Sequence, residues 1–358
     1  MSVGLDLPSA WLGRGPLACS LLPLAALYRA ALAGRALVWR LGGRQVQRLP
    51  VPVVVVGNVV VGGAGKTPTV IALVRHLQAR GWHPGVVSRG HGRRPGQDLH
   101  VVEDAADPER FGDEPALIAR ETGAPLAVGR DRPAAARALL QRHPEVDIVV
   151  SDDGMQHWAM ARDLTIVVFD DRDVGNGWLL PAGPLREPWP GPIWGGGPAL
   201  VLRTAAPRRP PRAHPYAEFA ASRALAADAV DARGYRHALS DWAAQGTPVG
   251  ALAGIARPEA FFAQLRQRGL ALTQTLALPD HASADQIGAA LREATSAPGA
   301  TRIWLCTDKD AIKVHGLHDP PLTGRASLWR VPLLFTPEPA WFAAVDRHLE
   351  RMRPRSAL

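Results

Sequence analysis

The sequence predicts an α/β fold: a parallel sheet core built on a phosphate-binding loop, with a second, smaller α/β lobe and an N-terminal interfacial helix. Three observations carry that prediction. A β-branched run at 51–56 leads straight into a glycine-rich turn that ends Gly65-Lys66-Thr67 and opens a helix. Strand-like and helix-like segments then alternate, which implies parallel strands with right-handed crossovers. A further apolar run, 146–150, ends in Ser151-Asp152-Asp153, carboxylates at the end of a buried strand.

Along the chain, residues 1–48 differ from the rest. Apolar residues from Pro16 to Ala30 are followed by Arg29, Arg35, Arg40, Arg44 and Arg48 spaced among Leu32, Leu37, Val38, Trp39 and Leu41. This stretch is too short and too charged to span a bilayer, and it suits an amphipathic helix lying at an interface. A helix packed on the protein's own core, or a signal peptide cleaved after Ala31-Leu32-Ala33, are the other readings.

The core is predicted over 49–215. Strands are expected at 51–56, 85–88, 126–128, 146–151, 164–169 and 199–202. Helices are expected at 67–80, 114–121 and 132–142. The Gly/Pro/Trp-rich stretch 172–215 reads as a long ordered loop or lobe boundary. The second lobe, 216–358, is predicted to carry strands at 249–255, 271–278, 302–306 and 328–334, with helices at 258–268 and 283–295. Arg347 to Leu358 reads as a fraying basic end.

Composition narrows the function classes. The chain has 358 residues with 21% charged and 47% hydrophobic, which excludes a wholly disordered protein. Two distant cysteines, Cys19 and Cys306, provide neither a disulfide framework nor a Cys-based zinc site, and fit a reducing compartment. The net charge of +8 points to an anionic partner: nucleic acid, a phosphate-bearing substrate or an anionic membrane. No aromatic-interleaved basic motif favours nucleic acid. Lys66, Lys309 and Lys313 are the only lysines among 41 basic residues.

The chemistry concentrates at the turn Gly57-Asn58-Val59-Val60-Val61-Gly62-Gly63-Ala64-Gly65-Lys66-Thr67. Glycines let backbone N–H groups curl around phosphate oxygens, and the helix N-terminus adds partial positive charge. Gly62, Gly63, Ala64, Gly65, Lys66, Thr67 and Pro68 are the expected nucleotide contacts, with Lys66 on the β/γ-phosphates and the Thr67 hydroxyl on Mg²⁺. Val60 stands where the strict pattern has glycine, so the loop is a variant. Asp152 and Asp153 are the strand-end carboxylates that hold Mg²⁺ in such enzymes, one facing the metal and the other the loop if the strand continues. Gly112-Asp113-Glu114-Pro115 reads either as a helix N-cap or as a carboxylate at the sheet edge. Asp280-His281 follows a predicted strand and reads as structural or catalytic. Arg89-Gly90-His91-Gly92-Arg93-Arg94 is a phosphate or sugar loop, or a solvated turn. Thr307-Asp308-Lys309-Asp310 has the wrong spacing for a guanine-specificity motif.

Taken in order, GNVVVGGAGKTPT (57–69), SRGHGRR (88–94), GDEP (112–115), SDDGMQH (151–157), PAGPLREP (181–188), PDH (279–281) and TDKDAIK (307–313) resemble one family, the tetraacyldisaccharide 4'-kinases. The resemblance spans about 15 to 345. It departs from the family at Val60, often a hydroxyl residue there, and at Asp308, usually glutamate. It implies a kinase on the cytoplasmic face of the inner membrane that moves the γ-phosphoryl group of MgATP to the 4'-hydroxyl of a tetraacylated glucosamine disaccharide 1-phosphate. It implies ATP and Mg²⁺ as cofactors and an acylated lipid substrate; no protein partner is implied, and nucleic acid is not expected. Position by position, it implies Lys66 and Thr67 on phosphates and metal, and Asp152, Asp153 and Glu114 at the Mg²⁺ site. Asp113 would be the base, paired with His281 from the second lobe. Arg186 and Glu187 would contact substrate or phosphate, with Arg89 and Arg132 as further substrate candidates. A membrane-recruited ATPase switch with the same loop is the alternative.

Overall fold

A computed structural model describes residues 7–90, 99–102, 107–296, 299–314 and 326–352. Helices α1 (Leu7–Ala10), α2 (Pro16–Ser20) and α3 (Leu22–Arg40) precede the core. The core runs β1 (Val53–Gly57), α4 (Lys66–Ala79), β2 (Pro84–Ser88), β3 (Leu99–Val102), α5 (Pro108–Phe111), α6 (Asp113–Thr122), β4 (Leu126–Gly129), α7 (Arg132–Arg142), β5 (Ile148–Asp152), β6 (Leu164–Phe169), β7 (Ala199–Arg203) and β8 (Ala217–Leu225). Then follow β9 (Asp228–Val230), β10 (Arg236–Ala238), α8 (Leu239–Ala244), β11 (Pro248–Ala253), α9 (Pro258–Gln267), β12 (Ala271–Ala277), α10 (Ala284–Ser296), β13 (Ile303–Cys306), α11 (Asp308–Val314) and β14 (Ser327–Arg330). The chain closes with β15 (Leu333–Pro337), α12 (Pro339–Leu349) and a short 3₁₀ turn, Glu350–Met352.

Among the described residues two sheets form. The larger has nine strands in the order β15-β8-β7-β6-β1-β5-β2-β4-β3. Its centre is parallel, with β1 between β5 and β6, and only β3 and β15 pair antiparallel. β1 is Val-Val-Val-Val-Gly and wholly buried, as a strand covered on both faces must be. Helix α4 covers it through Val70, Leu73, Val74 and Leu77, an i, i+3, i+4, i+7 stripe with no exposure. The smaller sheet has six strands, β10-β9-β14-β13-β11-β12, parallel from β14 to β12. Its core centres on Phe262, Leu265 and Trp304. A Cβ at Gly250 would lie 2.7 Å from the Trp304 ring, so only glycine lets the indole cross β11 there.

Every core and lobe strand and helix expected from sequence forms within two residues of its predicted bounds, except the segment 328–334. That segment is two strands. Val331-Pro332 separates β14, in the six-stranded sheet, from β15, in the nine-stranded sheet. Proline has no N–H to continue a ladder, so the chain changes sheet at that point. The expected lobe boundary at 215/216 moves for a related reason. β8 pairs with β7, so the chain leaves the large sheet only after Leu225 and returns to it at Leu333. Helix α12 extends order into the basic end, with Leu349 buried; 353–358 lie outside the described residues. Unforeseen elements are β3, β8, β9, β10, α5, α8, α11 and α12, most of them short, though β8 has nine residues and α12 eleven.

Helix α3 is neither a free arm nor a core helix. Only Ala25 is buried on it, while Leu22, Leu24, Leu27, Leu37 and Val38 are exposed. It is pinned by polar contacts. Tyr28 Oη donates to the Arg186 carbonyl at 2.8 Å, and Arg35 donates to the Gln156 carbonyl at 2.7 Å while lying 4.0 Å over the Trp158 ring. No helix among the described residues is long and apolar enough to cross a membrane.

Candidate active site

The parallel strands β1, β2, β4 and β5 all end at one edge, where open α/β sheets place their ligands. Gly57 ends β1. A Cβ there would sit 2.6 Å from the Met155 Cβ, so glycine lets the Asp152-Asp153-Gly154-Met155 turn close against the loop. Gly62 and Gly65 have φ of +96° and +93°, in the left-handed region that favours glycine. Lys66 opens α4. Its Nζ is 3.5 Å from Asn58 Oδ1 and 3.7 Å from Asp153 Oδ1. The loop backbone is braced from outside: the Ala64 carbonyl accepts from Thr204 Oγ1 at 3.0 Å and Arg223 at 3.2 Å, and the Val61 carbonyl accepts from Arg172 at 3.3 Å. Gly62, Gly63, Ala64, Gly65, Lys66, Thr67 and Pro68 thus form one continuous turn into α4, with Ala64 wholly buried within it.

Asp152 and Asp153 part company, though not by continued pleating. β5 ends at Asp152, and Asp153 has a φ of +45°. Asp152 Oδ2 accepts from Ser88 Oγ at 2.9 Å, while its buried Oδ1 has no hydrogen-bond partner among the described residues. Burial, with the charges of Glu114 and Asp153, pushes Asp152 up to about 7. Asp153 turns the other way, toward Lys66 and Arg186, the latter at 3.3 Å. Burial raises its pKa, but those cations outweigh burial and hold it below the usual carboxylate range. A buried acidic oxygen without a donor, beside a second carboxylate, fits a divalent cation. Among the described residues no group of three or more His, Cys, Asp or Glu side chains is placed to hold a metal by itself.

Two candidate substrate contacts are largely buried. Arg132 is 3% exposed and donates to the carbonyls of Gly129 at 3.2 Å and Asp152 at 2.9 Å. Burial lowers its guanidinium to about 10, with Asp152 and Asp153 opposing. Through these bonds it braces the end of β5, while its buried Nε has no hydrogen-bond partner among the described residues. Glu187 is 7% exposed and accepts from Gln156 Nε2 at 2.7 Å. Burial raises its pKa, the Gln156 bond and nearby arginines countering. It supports the loop whose open face is Arg186. The Arg186 backbone N–H donates to the Val59 carbonyl at 2.7 Å, so this loop is tied to the phosphate-binding turn. Arg89 is exposed at the end of β2; His91, Arg93 and Arg94 lie outside the described residues.

The second lobe completes the edge. Asp113 is not the N-cap of α6. Gly112 takes that place, and Asp113 is the first helical residue, with its carboxylate turned to the other lobe. Asp113 Oδ2 lies 3.2 Å from His281 Nδ1 and 2.8 Å from Lys313 Nζ. Burial pushes its pKa up, but His281 and Lys313 outweigh burial and hold it below the usual value. His281 sits just past β12 with a φ of +62°. Lys309 Nζ is 3.2 Å from His281 Nε2, 3.2 Å from Asp280 and 3.9 Å from Glu114.

Sequence reasoning left Lys309, Lys313, Arg223, Thr204, Ser88, Gln156 and Tyr28 without roles. Only the lysines carried a signal, as two of three in the chain. The others are ordinary residues given meaning by packing.

The model of the family described as LpxK, tetraacyldisaccharide-1-P 4'-kinase, matches residues 17–350. A tetraacyldisaccharide 4'-kinase from a Polaromonas species is 51% identical over 336 residues, covering 94% of this chain and 94% of that protein. One from Delftia acidovorans is 46% identical over 352 residues, covering 98% of this chain and 96% of that protein. A crystal structure of LpxK from Aquifex aeolicus in complex with ATP shares the fold, with a TM-score of 0.74 and 24% identity over 94% of this chain and 99% of that one. On this evidence the chain belongs to the tetraacyldisaccharide-1-P 4'-kinase family.

Proposed function

We propose that this protein transfers the γ-phosphoryl group of ATP to the 4'-hydroxyl of a tetraacylated glucosamine disaccharide 1-phosphate. The observation that carries the reading is the meeting of two lobes at one sheet edge. Lys66 lies beside Asp153, Glu114 acts by its charge on Asp152, and its neighbour Asp113 meets His281, 168 residues away in sequence.

The roles follow from charge and reach. Lys66 and the N–H groups of 62–67 hold the phosphates. Thr67, Asp152 and Glu114 would hold Mg²⁺, with Asp153 joining them once nucleotide draws Lys66 away. The cation would neutralise charge building on the β- and γ-phosphate oxygens. Asp113 accepts the proton of the 4'-hydroxyl, with His281 fixing the carboxylate. As that proton leaves, the sugar O–P bond forms, the bond from γ-phosphorus to the bridging oxygen breaks, and ADP departs. Arg186, beside Asp153 and held at its carbonyl by Tyr28 of α3, is placed to meet either the phosphoryl group or the sugar. The acyl chains stay in the bilayer, and α3, with its exposed leucines and arginines, would bring the site to the cytoplasmic face of the inner membrane.

The test is incubation of the purified protein with γ-labelled ATP, Mg²⁺ and the acylated disaccharide 1-phosphate in detergent. Label in the lipid phase at the 4' position is expected. ATP hydrolysis with no lipid label would refute the reading and favour a membrane-recruited ATPase.

A further inference from the structure

We propose that Lys309 and Lys313, one turn apart on α11, are part of the transfer machinery: Lys313 positions the Asp113–His281 pair, and Lys309 contacts the transferring phosphoryl group. The inference rests on the kinase reading and adds two residues to it.

The first observation is compositional. Of 41 basic residues only three are lysine, and all three pair with carboxylates of the candidate site: Lys66 with Asp153, Lys309 with Glu114 and Lys313 with Asp113. Elsewhere arginine serves every cationic need. A lysine ammonium is a compact point charge, unlike arginine's planar five-donor fork, and suits a site where one nitrogen must bridge several oxygens.

Geometry assigns each a task. Lys313 is 8% exposed, and its Nζ bridges Asp113 Oδ2 at 2.8 Å and the Ala282 carbonyl at 2.7 Å. One ammonium thus fixes the carboxylate and the backbone beside His281 together. With its Nδ1–H donating to Asp113, His281 presents an Nε2 lone pair, and Lys309 donates to it. Lys309 also lies 3.9 Å from Glu114, whose charge acts on Asp152. Its ammonium therefore touches both the partner of the proposed base, His281, and a proposed metal carboxylate, Glu114, which is where a transferring phosphoryl group would meet it. It is 17% exposed in its side chain, open enough to exchange partners.

Helix α11 is built to hold both lysines still. Asp310 is fully buried and accepts from the Gly254 N–H at 3.0 Å and Thr307 Oγ1 at 2.6 Å. Asp308 pairs with Arg330 at 2.6 Å and with Arg120 of α6 at 3.9 Å. Such anchoring is what preorganised charge stabilisation requires.

A purely structural role would make these lysines inter-lobe ion pairs and nothing more. The experiment separates the two by measuring lipid phosphorylation, ADP binding, ATP binding and melting for wild type, Lys313→Met, Lys313→Arg, Lys309→Met and Lys309→Arg. Lys313→Met is expected to lower kcat roughly 10²-fold with both KM values within about threefold, the effect of a displaced catalytic group. Lys313→Arg is expected not to rescue it. Lys309→Met is expected to keep ADP affinity, to lose at least about tenfold of the preference for ATP over ADP, and to lower kcat roughly 10²-fold, the scale of one lost transition-state contact. If Lys313→Met fails to fold, Lys309→Met, on the more open side chain, carries the test. Met variants within threefold of wild type in kcat, or full rescue by Arg at 313, would overturn the proposal. A wild-type protein that leaves the lipid unlabelled would instead overturn the kinase reading itself.

Discussion

Replacing Asp113 with asparagine removes one charge and one proton acceptor while preserving shape. Asp113 Oδ2 is held by Lys313 at 2.8 Å and His281 at 3.2 Å, and asparagine can keep an oxygen in that position. Loss of a general base costs about 10²–10⁴ in rate, which at 1.36 kcal/mol per tenfold is roughly 2.7–5.4 kcal/mol of activation free energy. Folding suffers less. A hydrogen bond to a charged group is worth about 1.5–3 kcal/mol, and the amide oxygen retains part of it. Turnover should therefore collapse while the melting temperature falls by only a few degrees. The assay is initial-rate transfer of labelled phosphate to lipid at saturating ATP, with nucleotide binding measured alongside. Asp113→Asn within threefold of wild-type turnover would refute the base assignment. Lost ATP binding in that variant would refute it differently, by making Asp113 a nucleotide or metal contact.

Lys66→Ala removes the cation at the mouth of the loop and should weaken ATP binding about 10–100-fold by calorimetry, the equivalent of one charged hydrogen bond. Gly57→Ala would put a Cβ 2.6 Å from that of Met155, so two backbones must separate; a loss of about 1–3 kcal/mol in denaturant unfolding is expected. Removal of residues 1–45 should abolish flotation with anionic vesicles and raise the KM for lipid, because Tyr28 braces the Arg186 carbonyl; a truncated protein that still floats would place the anchor elsewhere. His157 has its pKa lowered to about 4 by burial and then by the charge of Arg132. The unfolded chain takes up that proton near pH 6.5 and the folded protein only near pH 4, so stability should fall on acidification across this window and level off below it. His157→Gln should flatten that part of the stability–pH curve.

The phosphate-binding turn was legible because its meaning is local. Gly62, Gly65 and Lys66 act through adjacent backbone, and the β-branched run before them declares a buried strand. Asp152 and Asp153 were legible for the same reason, as carboxylates ending an apolar run. Arg132 and Glu187 were less legible, because a charged residue in a motif reads alike whether it is open to solvent or buried against a strand end. Burial separates the two, and burial is a property of the packed molecule. The run 328–334 misled because its hydrophobic pattern is continuous across a change of sheet.

The sequence by itself determined the alternation of strand and helix, the phosphate-binding turn and the family. Each is written in near-neighbour spacing, which backbone geometry converts directly into structure. Tertiary structure alone decided that β8 and β15 belong to the large sheet though the second lobe lies between them. It alone set Lys313 beside Asp113 and Lys309 beside His281, and turned α3 so that Tyr28 meets Arg186. Those pairs are far apart along the chain. Their meeting depends on how two cores pack and where two strands cross between them, which no local pattern encodes.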